Sequence, residues 1–152
     1  MSGDFEYIEE FLKDPEGSLD SFWDCEALVW IDWRAEDDYI LDLLNDHLSE
    51  EDQIVYEVTD SYEDMFLIKN GEKSRVPYNG ANWERDVTVR AAAGFVQPKY
   101  QLRHFTGSVG SDAGAFCLIP AAEWQQLESR FGEEFTAKYF VPVKPDSVIF
   151  GC

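Results

Sequence analysis

Cations are nearly missing from the first 64 residues, where only Lys13 and Arg34 face 22 aspartates and glutamates. Residues 65–152 hold 9 acidic and 10 basic residues, so almost all of the net charge of −19 belongs to the first stretch. A bias that served solubility alone would be spread more evenly along the chain. An excess of negative charge repels nucleic-acid phosphates and anionic lipid surfaces and attracts basic proteins. Such asymmetry between halves points to an interaction surface.

Histidine and cysteine are scarce as well. His47 falls on the apolar stripe of a predicted helix, the place of a satisfied core histidine, and His104 lies in a predicted strand beside Arg103. Without a second histidine at ligand spacing, no metal site is expected. Cys25, Cys117 and Cys152 form no Cys-x-x-Cys pair, and their odd number excludes a disulfide framework. No Asp-x-Asp-x-Asp-Gly calcium loop and no Gly-x-Ser-x-Gly elbow occur. The glycine-rich segment Gly107–Gly114 lacks the Lys-Ser/Thr ending of a phosphate-binding loop and leads into a strand, so it reads as a hairpin loop. With 31 carboxylates, pairs such as Asp37–Asp38 or Asp60 with Asp64 arise by chance. The expectation is a protein that is not an enzyme and uses no cofactor or metal. Arg75, Arg85, Arg90, Lys99 and Arg103 are interspersed with acids and form no basic stripe, so no direct nucleic-acid binding is expected. No apolar run approaches membrane-spanning length, and Met1–Glu10 lacks the basic and apolar regions of a signal peptide. These features make the cytoplasm the expected compartment, without membrane contact.

What the chain does have is core material. Apolar residues make up 45% of 152 residues, with 5 Trp, 7 Tyr and 11 Phe, enough for one compact domain. Helical spacing of Phe5, Ile8, Phe11 and Leu12 predicts a helix over 4–13, ended by Asp14-Pro15 and followed by a loop at Glu16-Gly17-Ser18. A strand is predicted over 26–33 and a helix over 36–48, with Ile40, Leu43, Leu44, His47 and Leu48 buried. Strands at 53–59, 62–69 and 72–78, joined by Asp60-Ser61 and by Asn70-Gly71, predict a three-stranded antiparallel meander. A helix capped by Asn82 follows over 84–96, ended by Pro98. Strands at 99–106 and 115–119 come next, then a helix opened by Pro120 and closed by Gly132. Residues 133–139 add one or two helical turns, and Val148–Phe150 a final edge strand. Hairpins rather than βαβ crossovers make this a single α+β domain over 1–152, a mainly antiparallel sheet with about four helices packed on it.

The candidate partner surface follows from the charge. Asp38, Asp42 and Asp46 recur every four residues and lie along one helical stripe, where like charges repel unless a cation answers them. Glu50, Glu51 and Asp52 extend the patch. Asp60, Glu63 and Asp64 crowd the tip of the first hairpin, and no basic residue interrupts the helix and hairpin before Lys69. Trp30 and Trp33 supply candidate aromatic anchors.

In size, acidity, compartment and α+β pattern, the chain resembles the immunity proteins of bacterial contact-dependent-inhibition and related polymorphic-toxin systems. The resemblance implies a cytoplasmic antitoxin that binds a cognate basic toxin domain, such as a nuclease, and blocks its active site or substrate surface. It carries over no catalytic residue. The order helix, three strands, helix, two strands, helix across 36–131 is also similar to that of type III secretion chaperones, with an extra N-terminal helix and strand. That likeness implies a chaperone for a secreted effector. A DNA-mimic inhibitor, whose carboxylates imitate phosphates, is the third reading.

Overall fold

A computed structural model describes residues 3–32, 35–59, 64–78, 85–109, 111 and 113–147. Its helices are α1 (Gly3–Lys13), α2 (Pro15–Trp23), α3 (Asp37–Asn45), α4 (Arg85–Val96), α5 (Ala121–Phe131) and α6 (Glu133–Tyr139). Its strands are β1 (Val29–Asp32), β2 (Val55–Val58), β3 (Met65–Lys69), β4 (Glu72–Arg75), β5 (Tyr100–Phe105), β6 (Ala113–Pro120) and β7 (Phe140–Pro142). Single 3-10 turns occur at Glu50–Asp52 and Thr106–Ser108.

The α+β class and the antiparallel pairing agree with the sequence reading, but the layout is richer. Strands divide between a four-stranded sheet of order β1-β6-β5-β7 and a three-stranded sheet of order β2-β3-β4. The second is the predicted meander. Its Asn70-Gly71 turn has positive φ at both residues, 54° and 82°, as a two-residue hairpin of matched twist requires.

Six α-helices are present among the described residues rather than about four. Asp14-Pro15 ends α1 as expected but also opens α2, so Glu16-Gly17-Ser18 is helical rather than a loop. The Asp14 carboxylate accepts a hydrogen bond from the Gly17 amide at 3.2 Å, and Pro15 occupies the first turn, where its missing N–H costs nothing. Residues 133–139 form a separate helix, because Gly132 at φ 95° breaks the axis between α5 and α6. Pro120 ends β6 and flanks α5 rather than opening it. The Asp60-Ser61 turn, the Asn82 cap and the Val148–Phe150 strand lie outside the described residues.

β6 explains the architecture. Residues 114–119 are all buried, because both faces of the four-stranded sheet are covered. On one face Phe116 and Leu118 meet Val29, Ile31, Leu102, the α3 residues Ile40, Leu41 and Leu44, and Met65 and Leu67 of the meander. On the other, Ala115, Cys117 and Ile119 meet Phe5, Ile8, Phe11, Phe22, Trp124 and Phe140. A strand buried on both faces reads as an unbroken apolar run, not an alternation.

α5 is held by polar contacts as well as apolar ones. Trp124 Nε1 donates to the Gln101 carbonyl at 2.8 Å, and the buried Arg103 guanidinium stacks on the Trp124 ring at 4.5 Å. Arg103 also donates to Gln101 Oε1 at 2.7 Å and lies 3.5 Å from Glu128. Arg103→Ala, which strands these acceptors, should cost about 3 kcal/mol in chemical denaturation. Arg103→Met, which keeps the stem packed on Trp124, should cost about half as much.

Candidate functional site

α3 places the predicted stripe where its apolar residues require it. Ile40, Leu41 and Leu44 turn into the core, so Asp38 is left half-buried and Asp42 exposed. The helix is shorter than expected, ending at Asn45. Asp46 is therefore its C-cap residue, and no basic side chain occupies its last turn. A carboxylate at this end of a helix faces unpaired carbonyls and is itself unfavourable.

Three contacts pin α3. At its start, Thr88 Oγ1 of α4 donates to the buried carboxylate of Asp37, and Tyr78 Oη in turn lies 2.5 Å from Thr88 Oγ1. In the middle, the Tyr56 hydroxyl donates to Asp42 Oδ1 at 2.9 Å. Burial, this hydrogen bond and the charges of Asp42 and Asp38 push the Tyr56 phenol up to about 12. At its end, the Asn45 side chain pairs with residue 54 as a neighbouring strand would. Asn45 Oδ1 accepts from the Ile54 amide at 2.6 Å, and Asn45 Nδ2 donates to the Ile54 carbonyl at 3.1 Å.

The other predicted carboxylates divide into paired and unpaired. Asp52 receives Lys99 Nζ at 2.7 Å, Ser49 Oγ at 2.5 Å and the Tyr100 hydroxyl at 3.0 Å. The Lys99 contact, foremost among these, lowers its carboxyl to about 2. Glu51 lies 4.0 Å from the same ammonium. Asp64 accepts from Arg75 Nε at 2.8 Å and sits at the other end of β2, opposite Thr59 and away from Glu50–Asp52. Asp42, Asp46 and Glu50 are exposed and, among the described residues, have no cation within salt-bridge distance. Asp60 and Glu63 lie outside the described residues.

Trp30 does not join this surface. Strand alternation sends Val29 and Ile31 toward α3, so Trp30 points to the opposite face of the sheet. There it packs on Trp23 with ring centroids 4.7 Å apart. Trp33 lies outside the described residues.

Both histidines have partners. His47 Nδ1 is 2.7 Å from Asp4 Oδ2, tying the end of α3 to α1, while His104 lies over the Phe116 ring at 5.0 Å with Ser108 Oγ 3.3 Å away. Burial lowers the His104 pKa and keeps the ring neutral at pH 7. Burial raises the thiols of Cys25 and Cys117. Among the described residues no cluster of three or more His, Cys, Asp or Glu is arranged to hold a metal. Nor is any helix among them long and apolar enough to cross a membrane. A cavity of about 340 Å³ opens between the outer face of the meander, at Val55 and Ile68, and the C-terminal end of α4, at Phe95 and Pro98. Its two ammonium groups are both engaged, Lys99 by Asp52 and Lys69 by the carbonyls of Phe95 and Gln97.

Sequence reasoning missed three features. The cations that answer Asp52, Glu57 and Asp64 come from the near-neutral second half, a long-range pairing with no local signal. The Asp37–Thr88 contact spans 51 positions and is equally silent. The exposed acids of α2 (Glu16, Asp20) and of the turn after it (Asp24, Glu26) form further negative surface, hidden once Asp14-Pro15 is read as a stop.

Two titrations test this geometry. The Asp52 carboxyl should titrate near 2 in a carbon-detected NMR series, and Lys99→Ala should move it up toward the ordinary carboxylate range. Burial raises Asp37 instead. The folded state then holds this proton more tightly than the unfolded one. The contribution favours folding below the ordinary aspartate value of about 3.9 and is lost as pH rises through the raised folded value. Asp37→Asn keeps the acceptor for Thr88 and removes the titration. Its melting temperature relative to the parent should therefore rise as pH is taken from acid to neutral.

Comparison with family models, with curated proteins and with solved structures finds no match to this chain.

Proposed function

We propose that this protein is a non-catalytic, toxin-neutralising antidote of the immunity type, which binds a basic protein domain through the face formed by α3 and the turn after it. One observation carries the reading. Among the described residues the fold answers Asp52, Glu57 and Asp64 with Lys99, Lys73 and Arg75, yet offers no cation to Asp42, Asp46 and Glu50, exposed on a pinned helix and its following turn. Surplus like charge held in place is a cost in the free protein and a gain when a basic surface covers it. Nucleases are the partner class of choice, since their own sites are positive in order to hold phosphates.

The test is co-expression with the C-terminal domain of a large secreted protein encoded beside this gene. The parent should restore growth and co-purify with the domain, with affinity falling steeply as salt rises. Asp42→Lys, Asp46→Lys and Glu50→Lys together should weaken binding by on the order of 100-fold and flatten the salt dependence. Asp20→Lys with Asp24→Lys, in α2 and the turn after it rather than in α3, should change it little. If the α3 reversals leave affinity intact, this surface is not the docking site. Competition by duplex DNA for the same domain would identify the carboxylates as phosphate mimics.

A further inference from the structure

β2 is an outer strand of the meander, and its hydrogen-bonding parity is set by its neighbours. The Thr59 amide donates to the Asp64 carbonyl at 3.0 Å, continuing the register in which Val55 faces Ile68 and Glu57 faces Phe66. In an antiparallel ladder such pairs alternate. Val55, Glu57 and Thr59 therefore bond to β3, while the N–H and C=O groups of Ile54, Tyr56 and Val58 point away from it. Ile54 is already satisfied by the Asn45 carboxamide. Tyr56 and Val58 have no backbone partner on that side among the described residues. β4, the other edge of this sheet, carries Glu72, Lys73 and Arg75, all exposed, the charged side chains that guard an edge.

The two faces beside the β2 edge differ in chemistry. On the face of Tyr56 stand Asp42, in contact with its hydroxyl, and Asp46, next to the Asn45 that covers Ile54. On the opposite face Val55 is 51% exposed and lines the 340 Å³ cavity together with Ile68 and Phe95. A strand laid along this edge would set alternate side chains against carboxylates on one face and, on the other, against Val55 and its cavity, with Glu57 beyond it engaged by Lys73. A second copy of this chain would bring its own Asp42 and Asp46 to the same place, which like charge opposes.

We propose that the outer edge of β2 accepts an extended segment of the basic partner by strand addition. Its lysines or arginines lie on the side of Asp42 and Asp46, and its apolar residues alternate toward the cavity beside Val55. Main-chain hydrogen bonds to Tyr56 and Val58 give such a contact its affinity, and the alternate side chains give it specificity. This extends the reading of the acidic face and rests on it.

The test uses the full chain and a nonapeptide of alternating lysine and valine. Laid antiparallel to β2, the lysines that share the face of Tyr56 direct their own N–H groups at it. The unmodified peptide should slow hydrogen exchange at the Tyr56 and Val58 amides, and a peptide N-methylated at every lysine should bind at least about tenfold more weakly. Val58→Pro removes an outward N–H without touching a β2–β3 hydrogen bond and should weaken the unmodified peptide by about as much. The inference is overturned if neither peptide binds. It is equally overturned if N-methylation leaves affinity unchanged on the parent protein, or if protection appears away from β2. Should the α3 charge reversals abolish binding of both peptides while N-methylation makes no difference, the acidic face stands and strand addition falls. Peptide binding insensitive to those reversals would remove the acidic face itself.

Discussion

Lys73, Arg75, Lys99 and Arg130 each reach a carboxylate from the first 64 residues, namely Glu57, Asp64, Asp52 and Glu9. This cross-chain pairing is the constraint on which the fold depends. A segment at a net charge of −20 cannot be compacted without countercharge, because self-repulsion opposes the folded state. Each pair is exposed and contributes little by itself. Their placement matters more than their strength. Three of the four tie the meander or the turn before it, and the fourth ties α1 to α5, so the acidic half is joined to the near-neutral half at both cores.

That constraint bears on function through what it leaves over. The second half has few cations, and several serve the interior or the helix ends. Arg103 is buried on Trp124, Lys69 closes the carbonyl end of α4, and Arg90 donates to the Ser147 carbonyl. Among the described residues, Asp42 and Asp46 at α3 and Glu50 of the turn are not among those answered. The remaining charge is thus narrower than the acidic run along the chain. On this face it excludes Asp52 and Asp64 and centres on Asp42, Asp46 and Glu50, while Glu16, Asp20, Asp24 and Glu26 form the further negative surface at α2.

Legibility in the sequence followed the range of the interaction. Asn70-Gly71 announced its hairpin because the signal is two adjacent residues with positive φ. The α3 stripe was legible because Ile40 and Leu44 repeat at helical spacing. Asp14-Pro15 is locally ambiguous, since the same pair ends one helix and caps the next. β6 was recognisable as a strand, but its place at the centre of a two-faced sheet depends on partners at 29–32 and 100–105 that no local pattern names. For the candidate site, the helix face was readable and the neutralisation of Asp52 and Asp64 was not, because Lys99 and Arg75 arrive from elsewhere in the chain. The place of Trp30, a candidate anchor, was not legible for a simpler reason. Alternation along β1 decides which face it takes, and that face proved to be the other core.

Asp37 and Asp38 show how one helix separates identical residues. Successive side chains on an α-helix stand about 100° apart. One carboxylate therefore turns inward to Thr88 while the next turns toward the stripe of Asp42 and Asp46. The inward aspartate is costly to bury and earns its place by fixing the rotation of α3 about its axis. Asn45 then fixes the other end against Ile54, and Asp42 the middle against Tyr56. A helix held at three points cannot rotate or swing to relieve repulsion along its outer stripe. The unfavourable field is consequently built into the free protein, and under the proposed function a cation docking there would meet a surface with little ordering left to do. The contacts that hold the strain are also those that place the stripe beside the outer edge of β2, so acidic face and open edge are two consequences of one arrangement.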